Sequence, residues 1–72
     1  MGITEDLADD LAKDTLEAAA KADNQKIVDQ VSEVLGATST TAQEAYLTAV
    51  RVRRAVTRAR TTLDDFNANT KA

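Results

Sequence analysis

The side chains with most to offer chemically are five arginines crowded into ten positions: Arg51, Arg53, Arg54, Arg58 and Arg60. A guanidinium presents a planar fork of donors that matches carboxylate or phosphate oxygens two at a time. On a helix, Arg51, Arg54 and Arg58 share one outer face, and Arg53 and Arg60 stand on its shoulder. This set is the candidate contact for a polyanion or an acidic protein surface. The competing reading is a solvated face that pairs with an acidic helix of the same chain. Asp6, Asp10 and Asp14, with Glu17 beside them, also stack at helical spacing. Carboxylates can hold a hard cation only where several oxygens converge, and one straight helix converges on nothing. Ser32 and Ser39 have no base to activate them, and Tyr46 has no evident partner. The chain contains neither histidine nor cysteine, which removes the commonest general base, the thiolate nucleophile and the commonest transition-metal ligands. No glycine-rich phosphate loop exists. The expectation is a chain without catalytic activity, cofactor, metal or small-molecule substrate.

What must position these residues is helical. Seventy-two residues allow one small domain, and the sequence has no proline and two glycines. Alanine, the best helix former, supplies 14 positions. Apolar residues recur at spacings of three and four, and no stretch alternates as a strand would. Eight consecutive seam positions near the C-terminal end, Ala42, Ala45, Ala49, Val52, Val56, Ala59, Leu63 and Phe66, keep alternating spacings of three and four. That is a coiled-coil-type stripe. Thr41-Ala42-Gln43-Glu44 has the form of a capping box at its start. The spacing predicts a helix over about 41–66, roughly 37 Å long for its 25 apolar-striped residues, and a frayed polar tail over 67–72.

The first half predicts a helix over about 5–35 that starts at a Thr4 N-cap, with Glu5 and Asp6 at its positive end. One stripe (Leu7, Ala8, Leu11, Thr15, Ala18, Ala22) and a second (Ile27, Val31, Val34, flanked by Val28 and Leu35) do not share a heptad phase. The slip falls at 22–25. A single bent helix is favoured, since neither glycine nor proline interrupts it. Two helices meeting near Asp23, with Asp23 capping the second, are the alternative. Gly36 suits the left-handed residue that closes a helix, leaving a short loop over 36–40. The fold class is therefore all-α: an antiparallel helical hairpin, or three helices with a bend near Asp23. Leu, Ile, Val and Phe together number 15, too few to give a chain of this size a comfortable margin alone. Self-association into a bundle through the seam is expected, with Tyr46, Leu47, Val50 and Ala55 as a second contact surface.

Charge is divided along the chain. Residues 1–35 carry nine acids against three lysines, and residues 36–72 carry three acids against five arginines and a lysine. The acidic half folding back on the basic half sets orientation and partner choice more than stability. Glu17 with Lys21 and Asp9 with Lys13 stand in the favoured acid-first order for pairs within one helix.

Residues 31–45 resemble the first helix and turn of a helix-turn-helix, which implies that Thr40, Thr41, Gln43 and Glu44 would meet a DNA groove. The chain's pI of about 4.7 and scarcity of aromatics weigh against nucleic acid. The acidic start, Met1 to Asp6, predicts no export signal, and no apolar run approaches a membrane span, so a cytoplasmic chain that does not bind membranes is expected. The sequence reads best as a small non-enzymatic protein–protein interaction module, an oligomeric adaptor, regulator or structural accessory, with itself or another protein as partner. A nucleic-acid-binding regulator is the alternative.

Overall fold

The computed structural model describes residues 2–70, and Met1, Lys71 and Ala72 lie outside the described residues. The chain forms three helices: α1 (Ile3–Ala22), α2 (Lys26–Thr38) and α3 (Thr40–Thr70). The bend expected near Asp23 is a full break, so the favoured single helix over 5–35 is corrected to two. The cause is local. Asp23 takes the left-handed conformation, φ 50° and ψ 47°. The Asp23 amide donates to the Ala20 carbonyl and the Asn24 amide to the Ala19 carbonyl, closing α1 with a Schellman motif. Asp23 therefore ends a helix rather than capping the next. Asn24 takes the opening role, its Oδ1 accepting from the Lys26 amide at 3.0 Å.

The other helix ends are shifted too. Helix α1 begins two residues earlier than expected, with Gly2 rather than Thr4 at the N-cap. Gly36 does not close α2. It lies within the helix, and the expected loop over 36–40 shrinks to the single extended residue Ser39. Ser39 serves both neighbours: its amide donates to the Leu35 carbonyl, and its Oγ accepts from the Ala42 amide at 3.0 Å. The cap of α3 is thus Ser39, not Thr41. Gly36 is needed for a different reason. A Cβ there would stand 2.5 Å from Nε2 of Gln43. That nitrogen donates to the Ser32 carbonyl and hydroxyl at 3.0 and 3.3 Å, tying α3 to α2. At its far end α3 remains helical through Asn67–Thr70, where a frayed tail was expected; positions 71 and 72 of that tail lie outside the described residues.

The core is built from small side chains. Ala8, Ala12, Thr15 and Ala19 of α1 are buried, as are Val28 and Ser32 of α2. Tyr46 and Val50 of α3 fill the space between them. The contact line of α1 runs one residue beside the expected stripe, so Ala12 and Ala19 go inside while Leu7, Ala18 and Ala22 stay exposed. In α2, Val28 and Ser32 are inside, and Val34 is exposed. Alanine lines let helix backbones approach closely. They also leave little apolar volume, which a single aromatic ring supplies: Tyr46 is fully buried and its hydroxyl donates to the Val28 carbonyl at 2.9 Å. Thr15 is quieted by donating to the Leu11 carbonyl. Among the described residues no buried polar side-chain atom lacks a partner.

Two variants test this construction by urea unfolding at fixed protein concentration. Asp23→Gly should raise stability by about 0.5–1 kcal/mol, because glycine enters the left-handed region without a Cβ penalty. Tyr46→Phe should lower it by about 1 kcal/mol through the lost hydrogen bond, with the helix content retained.

Candidate functional site

One residue advances a helix by about 100°, and that angle organises the surface of α3. The face turned to the body runs through Gln43, Tyr46, Val50 and Arg53, which are buried or half-buried. The apolar seam runs through Ala42, Ala45, Ala49, Val52, Val56, Ala59, Leu63 and Phe66, one residue behind. The seam is therefore not the line that joins α3 to α1 and α2. Tyr46 and Val50, expected as a secondary contact surface, form the inner one; Leu47 is half-buried and Ala55 exposed.

Only the first three seam positions are half-buried, and from Val52 onward every one is exposed. Val52, Val56, Leu63 and Phe66 retain 55%, 60%, 47% and 62% of their accessible surface. Every described residue from Arg54 to Thr70 is exposed. These 17 residues make an arm of about 25 Å that leaves the three-helix body. The arm's threonines bond to their own helix: Thr57, Thr61, Thr62 and Thr70 donate to the carbonyls four residues before them. Such back-bonding slightly weakens a helix, and a solitary helix of this length is marginal in water even when rich in alanine.

The arginines do not act as one group. Arg53 reaches α1, where its Nε and an Nη donate to the two Asp9 carboxylate oxygens at 2.7 and 2.8 Å. This fork is the one ion pair among the described residues, so the pairs expected within α1, Asp9 with Lys13 and Glu17 with Lys21, do not close. The Arg53 guanidinium holds the Asp9 carboxyl below its ordinary value of 3.8; partial desolvation opposes the shift, and the Arg53 and Lys13 charges assist it. Arg54 donates to Oε1 of Gln25 at 3.0 Å. Arg51, Arg58 and Arg60 are exposed and make no ion pair among the described residues.

One hollow flanks the seam, and another lies on the first two helices. A groove of about 490 Å³ between α1 and α3 has seam residues Ala45 and Ala49, with Thr41 and Thr48, along one side. Glu5, Asp6, Asp9 and Glu44 supply its carboxylates. On α1 and α2, Leu11, Ile27, Val31, Val34 and Leu35 line an open apolar depression. Asp6, Asp10 and Asp14 gather no ligand set, and no group of three or more metal-ligating side chains occurs among the described residues. Ser32 and Tyr46 are engaged in bonds between helices, and the Ser39 hydroxyl caps α3. Gln43, a candidate base reader in the helix-turn-helix resemblance, points into the α2 contact instead. None of the described helices is long and apolar enough to cross a membrane.

The ion pair between Asp9 and Arg53 joins residues 44 apart, a distance at which no sequence spacing signals a partner. Tyr46 and Val50 were more accessible, since Gln43, Tyr46, Val50 and Arg53 repeat at three and four. That line is polar at both ends, and the wholly apolar seam beside it gives the stronger signal. No family model, no characterised protein and no solved structure matches the chain.

The Asp9 shift sets a pH dependence. A carboxyl whose native value is depressed stabilises the fold above its unfolded value, 3.8, and that stability is lost as pH falls through the lower native value. Wild type should therefore unfold at higher urea than Arg53→Met at about pH 5, with the gap closing towards pH 2.

Proposed function

We propose that this chain is a non-enzymatic protein–protein interaction module that self-associates through the α3 stripe. The observation that carries the reading is the continuous apolar line Val52, Val56, Ala59, Leu63 and Phe66, exposed throughout where α3 leaves the body of the chain. A soluble protein rarely exposes an ordered apolar stripe of this kind unless a partner covers it.

Area supports the same reading. The chain exposes 5566 Å², whereas a compact monomer of its 7.7 kDa would expose about 4,300 Å². The excess, about 1,200 Å², is more than the roughly 800 Å² that each partner contributes to a standard stable interface. A helical arm with four threonines and two asparagines, tied to the body by the bond from Arg54 to Gln25, would also gain stability from a partner. The role is that of an oligomeric adaptor, regulator or structural accessory, whose recognition surfaces are the stripe and the exposed arginines Arg51, Arg54, Arg58 and Arg60. A nucleic-acid-binding role draws on those same arginines. The net charge of −3 and the engagement of Gln43 and Arg53 inside the fold weigh against it.

Sedimentation equilibrium of Val56→Ala with Leu63→Ala should show at least ~100-fold weaker self-association than wild type, about 2.7 kcal/mol, with helix content of the body retained. A wild-type chain that sediments as a monomer at millimolar concentration would remove the reading. Tight, steeply salt-dependent binding of duplex DNA or RNA by that monomer would replace it with the nucleic-acid role.

A further inference from the structure

We infer that two copies pair their α3 helices antiparallel, so that Phe66 of each enters the acid-edged groove beside Ala49 of the other. This inference rests on the self-association reading and adds to it an orientation, a register and a docking pocket.

The register follows from side-chain volume. In an antiparallel pair, facing core positions have residue numbers with a constant sum, and first-type seam positions meet second-type ones. One alignment uses every exposed seam residue: Ala49 faces Phe66, Val52 faces Leu63, and Val56 faces Ala59. The largest side chain meets one of the smallest, and each remaining layer joins a larger residue to a smaller one. Alternation of this kind fills a helix interface without voids. Repeated by the two-fold axis, these three layers become six, over a shared length of about 27 Å.

The groove between α1 and α3 lies where the register needs it. Ala45 and Ala49 lie along its α3 side, and both are half-buried seam positions. Its volume of about 490 Å³ readily admits a phenyl ring. The arm that exposes Phe66 is long enough to reach it only in a second copy, because α3 runs unbroken from Thr40 to Thr70 and cannot fold back on itself.

Charge selects the orientation. A parallel pair would set Glu5, Asp6, Asp9 and Glu44 of one groove against the same four in the other, which like-charge repulsion opposes. The antiparallel pair covers each acidic groove with the other copy's arm. It also brings Arg60 of the second copy to the flank of Arg53. That cation is already neutralised by Asp9, and the carboxylates of Asp10 and Glu17 act on it as well. The register therefore sets two guanidinium groups side by side, a repulsion that the Asp9 fork to Arg53 reduces. Asp64 and Asp65 of the arm stand on its outer side, level with Arg51 of the facing helix.

The chain has no cysteine, so introduced thiols report the pairing directly. Ala49→Cys and Phe66→Cys are prepared as separate full-length proteins, then mixed, equilibrated and treated with a short thiol cross-linker. The expected result is a cross-linked dimer whose peptides join position 49 to position 66, formed in the mixture at least tenfold faster than by either protein alone. Like positions in this register lie about 25 Å apart for residues 49 and 66 and about 16 Å apart for residues 52 and 63, beyond a short linker. Val52→Cys mixed with Leu63→Cys provides the same reading with Phe66 intact. Efficient cross-linking of each variant to itself would show parallel pairing and overturn the inference while leaving self-association standing. Sedimentation as a dimer with no cross-link in either mixture would place the arm elsewhere, for example on the depression lined by Ile27, Val31 and Val34, and would overturn it equally. A monomer by sedimentation would remove both this inference and the reading beneath it.

Discussion

The fold depends on how closely three helices can approach when their contact lines are made of alanine, threonine, serine and glycine. Ala8, Ala12, Thr15 and Ala19 of α1, with Ser32 and Gly36 of α2, bring backbones near enough that one aromatic ring spans the space between them. Tyr46 is that ring, and it is the largest side chain fully withdrawn from water. Its position is fixed from two sides: the ring packs among the small residues, and its hydroxyl is held by the Val28 carbonyl. Burial pushes its phenol above the ordinary value, which favours the neutral, donating form. Gln43, three residues earlier on the same face, performs the matching task at Ser32.

This economy has a consequence for the surface. Small contact lines leave the larger branched residues nowhere to go inside one chain. Ile3, Leu7, Val34, Val52, Val56, Leu63 and Phe66 are all exposed. A domain stabilises itself by burying one stripe of each helix against another layer, and here a second stripe on α3 is left over after the first has been used. The two stripes are separated by about 100° of helix rotation. One carries Tyr46, Val50 and the Arg53 fork to Asp9, and the other continues past the body for a further 17 residues. The intramolecular stripe ends at Arg53, where the ion pair seals its edge.

Much of this was legible from residue types and spacing. Helix class, the place of an interruption near Asp23 (though a bend was favoured there over the full break), the neighbourhood of the joint before the third helix, and the extent of the apolar seam are local properties. They follow from backbone preferences and from the 3.6-residue period. The caps were harder, because several serine, threonine and asparagine side chains compete for each terminus. Ser39 prevailed over Thr41, and Asn24 over Asp23, once the chain direction between helices was fixed. Gly36 looked like a helix terminator, the commonest use of an isolated glycine. Its place is inside α2, for a side chain seven residues away that must pass over it.

By itself, then, the order of residues determined that the chain is helical, that it has neither histidine nor cysteine, and that α3 carries an unbroken apolar line. Local propensity and periodicity need no neighbour. Which of two adjacent stripes faces inward was decided only in three dimensions, because α1 and α2 offer a surface of small residues that one tyrosine fits. The choice of Asp9 for Arg53, in preference to nearer partners along the helix, came from the same assembly. A fork of two hydrogen bonds across an interface requires both backbones to be in place before either side chain has a reason to prefer the other.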